Sequence, residues 1–166
     1  MTEIDRLHRR NLMNNGRCVI TATNDAGGVH KVQVRPTPRE LIDDVPVVQL
    51  YGLSSHAPVG SEAHMLCTRG DRSSTVVVAT NNPDARPRGL NSGEVALYTA
   101  EGDTIVLKSG HVIAITTSGT VTVTAPTVNI AGPGGGKVAV NVSGDIHCTG
   151  TITADTITAP NGHVGP

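Results

Sequence analysis

Phenylalanine and tryptophan are absent from this 166-residue chain, and its only aromatic side chains are Tyr51 and Tyr98. Aromatic rings usually dominate core burial, so a core here must come from Val, Ile, Leu and Ala, each contributing less. Burial against identical copies of the chain would compensate, and composition therefore points to an oligomer. Cysteine is scarce as well. Cys18, Cys67 and Cys148 lie far apart without CxxC spacing, which argues against a disulfide framework or a four-ligand zinc site and for reduced, buried thiols. The formal net charge of −1 lacks the basic footprint that a nucleic-acid partner requires. No run approaches the ~20 consecutive apolar residues that span a bilayer. The opening residues, MTEIDRLHRRNLMNNG, mix charges without the apolar run of a signal peptide, so synthesis and retention in a cytoplasm are expected.

What is present falls into three regions: an arm at residues 1–16, a barrel-like region at 17–88, and a repetitive region at 94–166 reached through a linker at 89–93. Within the arm, residues 2–14 read as a short helix. Thr2 and Asp5 form a weak capping box, Ile4, Leu7, Leu12 and Met13 lie roughly on one face, and Asn14-Asn15-Gly16 ends it. Such a helix either packs on its own domain or docks onto a neighbouring protein. Strands are expected at 17–23, 29–35, 45–53, 62–68 and 75–80, with Asn24 to Gly28 as a hairpin loop. Five strands in this length without a long helix suit a small closed barrel of the oligonucleotide/oligosaccharide-binding (OB) type. Pro36, Pro38, Pro46, Pro58, Pro83 and Pro87 fall near strand margins, where a missing N–H is tolerated. Asn81 to Gly89 reads as a connecting segment.

From residue 94 onward apolar doublets recur at alternate positions: Val95/Leu97, Ile105/Leu107, Ile113/Ile115, Val121/Val123, Val128/Ile130, Val138/Val140 and Ile146/Cys148. Successive doublets are 7 to 10 residues apart, with Gly, Ser, Asp or Pro between them. The segment from Thr122 to Asn129 (TVTAPTVN) echoes that from Thr151 to Thr158 (TITADTIT), an internal repeat. Each repeat is expected to be one short strand with an apolar face and a Thr/Ser/Lys-rich face. A lone strand cannot bury that face. One chain could coil into a solenoid, or three chains could wind into a three-sided prism with the doublets on its axis. Single-chain β-helix turns take about 20 residues, too many for this length to close well. Three chains close every edge laterally, and small β-branched side chains suit a narrow axis. The expectation is an all-β protein: a short helix and an OB-like barrel followed by an intertwined, C3-symmetric trimeric β-helix shaft.

The run from Gly93 to Lys108 (GEVALYTAEGDTIVLK) resembles the start of the spike shaft in phage baseplate assembly proteins of the V type. These include the central spikes of Mu-like and P2-like phages, and type VI secretion spikes look similar. The resemblance covers nearly the whole chain, because that family also places an OB-like domain before the shaft. It implies a homotrimer on the tail hub of a virion, helping to puncture the host outer membrane. Such spikes often end in a His-x-His pair that supplies six imidazoles to an iron ion. Here the terminal residues 159–166 hold one histidine, His163, so three copies would offer three ligands to an axial metal. The alternatives are a small tip-capping protein or an apex closed without metal.

Other patterns carry less. Gly132 to Lys137 (GPGGGK) suggests a phosphate loop, but Ala131 occupies the first Gly position and Val138 the Ser/Thr position, so a loop between repeats is the better reading. His64 and Cys67 lack a second ligand pair. Arg69-Gly70-Asp71 reads as a turn rather than an integrin tripeptide. Asp25, Asp43 and Asp44 are expected to be solvated loop residues with no base or nucleophile placed beside them. His147 falls on the outward phase of its repeat, and Asp103, Asp145 and Asp155 sit at turns, where calcium is the alternative role. A cell-wall hydrolase would need a domain between barrel and shaft, for which the connecting segment leaves no room, so no enzyme is expected. A ligand-binding OB module for sugar or nucleic acid is the competing function. It relies on stacking aromatics, and the barrel has only Tyr51.

Overall fold

The computed structural model describes residues 3–5, 15–132, 134 and 138–153. Residues 3–5 are helical; the remainder of the helix expected at 2–14 lies outside the described residues. The chain divides into two compact units, Met1–Val121 and Thr122–Pro166. The first contains every strand formed among the described residues, and the architecture there is all-β.

Strands β1 (Asn15–Asn24), β2 (Lys31–Thr37), β3 (Glu40–Pro46), β4 (Glu62–Cys67) and β5 (Thr75–Asn81) form an antiparallel sheet in the order β3-β2-β1-β4-β5. β1 serves two neighbours. Its first half, Asn15 to Val19, pairs with β4, and its second half, Val19 to Asn24, pairs with β2. The register shifts between Ile20 and Ala22, and such a bulge bends a strand and increases its twist. The edges meet at one point: Val47, just past β3, forms a parallel bridge with Val77 of β5, and the Val48 N–H donates to the Val77 carbonyl at 2.8 Å.

Alternation decides which side chains turn inward. Cys18 and Ile20 on β1, Val32 and Val34 on β2, Ala63, Met65 and Cys67 on β4, and Val45 and Val77 make up the core, all nearly inaccessible. The core contains no aromatic ring, as composition required, and two sulfhydryls and a thioether fill what rings would otherwise occupy. Packing is close where it matters: a Cβ added to Gly16 would lie 3.3 Å from the Met65 Cε. On the opposite face a polar ladder crosses three strands. The Thr21 hydroxyl donates to the Gln33 Oε1 at 2.6 Å, and the Gln33 Nε2 donates to Asp43 at 2.6 Å.

The strand expected at 45–53 is displaced. Pairing with β2 runs over Glu40–Pro46 instead; Val47 and Val48 still bond to His30 and Val77, and 49–53 leaves the sheet. Two local causes act together. Gln49 closes a loop onto Ser55, its Nε2 donating to the Ser55 carbonyl at 2.6 Å and its Oε1 accepting from the Ser55 N–H at 2.7 Å. Inside that loop the Leu53 N–H donates to the Leu50 carbonyl at 3.0 Å, a turn that Gly52 permits with φ +87°. The acidic pair Asp43-Asp44, expected in a loop, instead lies on the exposed side of edge strand β3. There Asp44 pairs with Lys31 at 3.3 Å. Charge on an edge strand discourages further pairing.

A second antiparallel sheet follows: β6 (Val95–Tyr98), β7 (Thr104–Lys108) and β8 (Val112–Thr116), in that order. These strands coincide with the first three apolar doublets. Past Thr116 no strand forms among the described residues, although the doublets continue. An extended segment without a ladder partner has its backbone groups satisfied only by water, and a single chain supplies no partner there.

Candidate functional site

The second sheet begins at a turn, Asn91 to Glu94, in which the Glu94 N–H donates to the Asn91 carbonyl at 3.1 Å and Gly93 takes φ +89°. The Glu94 carboxylate then joins two parts of the sheet. It accepts from the Asn91 N–H at 2.9 Å, from the Ser109 N–H and hydroxyl at 3.1 Å each, and from the Asn91 side chain at 3.2 Å. These donors, the Asn91 backbone first and the Ser109 backbone next, lower its pKa to about 2. Glutamate after glycine thus holds the start of β6 against the β7–β8 turn. A second turn joins β6 to β7: the Thr99 N–H donates to Asp103, the Gly102 N–H donates to Thr99, and Gly102 has φ +93°. Asp103 is engaged within that turn, its N–H donating to the Thr99 hydroxyl at 3.3 Å.

The register of this small sheet aligns the doublets. Val95 faces Leu107 and Leu107 faces Ile113; Leu97 faces Ile105 and Ile105 faces Ile115. Six aliphatic side chains thereby form two rows on one face, because positions two apart in a strand share a face. All six are exposed, from 42 % at Ile105 to 69 % at Ile113. The other face carries Ala96, Val106, Ala114, Tyr98, Thr104 and Thr116, with Lys108 and Val112 at its end. The six aliphatic side chains of the two rows thus face solvent. The same holds for the later doublets: Val121, Val123, Val128, Ile130, Val138, Val140 and Ile146 are all exposed, as is Cys148. The two rows on β6–β8 form an apolar face of the kind that marks a place where another surface belongs.

The remaining candidates disperse. Cys18 and Cys67 are buried free thiols, as expected, whereas Cys148 is exposed rather than buried. Burial first, and the neighbouring Cys67 second, raise the Cys18 pKa to about 11. His64 is exposed and Cys67 buried on the same strand, so they point to opposite faces and cannot share an ion. Among the described residues no group of three or more His, Cys, Asp or Glu could hold a metal. His163, Asp155 and Lys137 lie outside the described residues. His147 and Asp145 are exposed, as are Ile146 and Cys148 beside them. Asp71 starts the 3-10 turn Arg72–Ser74, accepting from the Ser73 N–H at 2.9 Å.

Two features had no sequence signal. His30 has both ring nitrogens buried without a hydrogen-bond partner, and its ring meets His56 edge-on at 4.9 Å. The loop from Gln49 to Ser55 raises Leu50, Tyr51 and Leu53 into solvent. Nothing in the spacing of these residues distinguishes such a loop from a strand.

Comparison with known proteins accords with this geometry. Residues 17–84 match the family model described as Bacteriophage Mu Gp45, N-terminal. The chain is 37 % identical over 86 residues to the Mu-like prophage FluMu protein gp45 of Haemophilus influenzae, an alignment covering 52 % of this chain and 47 % of that protein. It is 30 % identical over 124 residues to the baseplate puncturing device gp45 of Escherichia phage Mu, covering 75 % of this chain and 59 % of that protein. The chain thus spans about half the length of the curated relatives it matches. Residues 17–84, the segment similar to the Bacteriophage Mu Gp45 N-terminal family model, hold the bulk of the five-stranded sheet.

Proposed function

We propose that this chain is a structural spike protein of a contractile phage-type baseplate, acting as a homotrimer that caps the tail hub and pierces the host outer membrane. The observation that carries the reading is the pair of in-register aliphatic rows on β6–β8, uncovered on the single chain and continued by four further exposed doublets. Three copies turning these faces toward a common axis would bury them together. They would also give the strandless segments beyond Thr116 the ladder partners that one chain lacks. The printed name of the phage Mu relative, a baseplate puncturing device, supports the same role and a place in the virion tail.

In this reading the five-stranded sheet is an OB-like barrel seated on hub proteins, and the Val47–Val77 bridge supports its closure. The work is mechanical, not catalytic. Contraction of a sheath supplies force, and interwound strands resist it because unwinding one chain breaks contacts with two others. Stability then accumulates roughly additively along the shaft. His163, supplied once by each chain, is the residue that an iron or other metal ion at the tip would use; metal analysis of the purified assembly tests that, and a tip-capping protein is the alternative.

Light scattering on the full chain, repeated after deletion of residues 94–166, tests the proposal. A trimer that becomes a monomer on deletion is the expected result. A full-length monomer at micromolar concentration would overturn it and leave a single-chain solenoid on a ligand-binding barrel.

A further inference from the structure

The loop between β3 and β4 displays a rigid apolar knob. A flexible loop bearing apolar residues would gain by folding them inward, yet Leu50 is 76 % exposed and Tyr51 fully so. The loop is held in that posture by the two Gln49–Ser55 hydrogen bonds and by the Leu50–Leu53 turn. A chain with only two aromatic side chains thus spends one at the tip of a braced turn, where it contributes nothing to its own core. A rigid Tyr flanked by leucines is the chemistry of a binding anchor: large contact area with little rotamer entropy to lose on docking.

The same unit carries a matching receptor. Beside the base of the loop runs a groove of about 500 Å³, lined by Leu53, Ala57, Pro58, Ala85, Leu97 and Tyr98 among others. The groove is mainly apolar and has room for a tyrosine and a leucine side chain. Neither Leu50 nor Tyr51 of the same chain lines it. Leu97 belongs at once to the groove and to the uncovered row on β6, so a chain packed against that row also reaches the groove. A cyclic assembly needs two different complementary patches on each protomer, one to give and one to receive, and knob and groove supply that pair.

We propose that the Leu50–Tyr51 knob of one chain inserts into the Leu53–Leu97 groove of the next copy, forming a collar of contacts above the shaft. The inference rests on the trimeric reading given above and adds an intersubunit contact made by the five-stranded sheet region rather than by the repeats.

The test is photocrosslinking of the full-length chain carrying Tyr51→p-benzoylphenylalanine. Tyr51 is fully exposed, so the replacement does not disturb folding. Isotopically light and heavy chains are mixed before assembly so that bonds between copies are told from bonds within one. Light scattering of the same sample reports the oligomeric state independently. The expected result is a trimer yielding covalent dimers and trimers, crosslinked within residues 53–58, 80–85 or 96–100 of another copy. Adding Gln49→Ala, which removes the brace, should lower the crosslinked yield while the trimer persists. A trimer without interchain crosslinks, or with crosslinks elsewhere, would overturn the knob and leave the trimer standing. Crosslinks only to a different protein or to lipid would do the same. A monomer would overturn both.

Discussion

Replacement of Ile113 by threonine is the sharpest test of the uncovered face. The substitution keeps β-branching, so the strand preference of β8 is retained, and it removes apolar surface that the single chain leaves 69 % exposed. Fully burying an isoleucine side chain is worth about 1.5–3 kcal/mol, so closing the exposed share would contribute about 1–2 kcal/mol per copy. Three copies lose about 3–6 kcal/mol, and at about 1.4 kcal/mol per decade the trimer dissociation constant rises roughly 10²–10⁴-fold. Because that constant carries the square of concentration, the dissociation midpoint moves about 10–100-fold. Analytical ultracentrifugation over a dilution series reads that shift directly. The folded chain itself should be almost unaffected, since the lost surface was never covered within it. Ile20→Ala is the counterpart: Ile20 is completely buried, and its truncation should cost the fold about 2–5 kcal/mol. If Ile113→Thr left the midpoint unmoved in a chain that is trimeric, the rows on β6–β8 would not be the interface. If it unfolded the chain as Ile20→Ala does, the face would be internal.

Three further outcomes are expected. Glu94 has a pKa lowered from 4.5 to about 2, so its hold on the sheet is complete above pH 4.5 and disappears as pH falls toward 2; Glu94→Gln should remove this dependence, followed as amide-proton protection of Ser109 between pH 5 and 2, and an identical pH profile in the variant would refute it. A maleimide at pH 8 should label Cys148 in the dissociated chain and spare Cys18, whose thiol is buried and raised to about 11; trimer assembly should then shield Cys148, and labelling at equal rates in both states would exclude it from the axis. His30→Phe removes two buried, unpartnered ring nitrogens while keeping a ring against His56, and should raise the melting temperature by an amount equivalent to about 1 kcal/mol; a fall would show that a partner satisfies His30 in the assembly.

Much of this protein could be read from local rules. Period-two alternation located β1, β2, β4 and β5 to within two residues at their starts, and the first three doublets became β6, β7 and β8. The absence of Phe and Trp anticipated a core of aliphatic side chains, and cysteine spacing anticipated the buried thiols, whereas the place of Met65 in that core was not foreseen. Alternation also set which side chains share a face of the small sheet, since that depends only on the two-residue period once strands form. Tertiary structure decided the rest. The displacement of the third strand to Glu40–Pro46 came from Gln49 reaching Ser55 and from Gly52 at positive φ, side-chain and conformational facts that Val45 to Leu53, a run of mainly apolar residues, conceals. The role of Glu94 depended on Ser109, fifteen residues away, being returned by the β6–β7 hairpin. The sequence by itself determined that apolar doublets recur and need cover. Only the folded chain revealed that its own residues leave the first six uncovered, because hydrogen-bonding register, not composition, puts Val95, Leu107 and Ile113 beside one another with nothing laid across them.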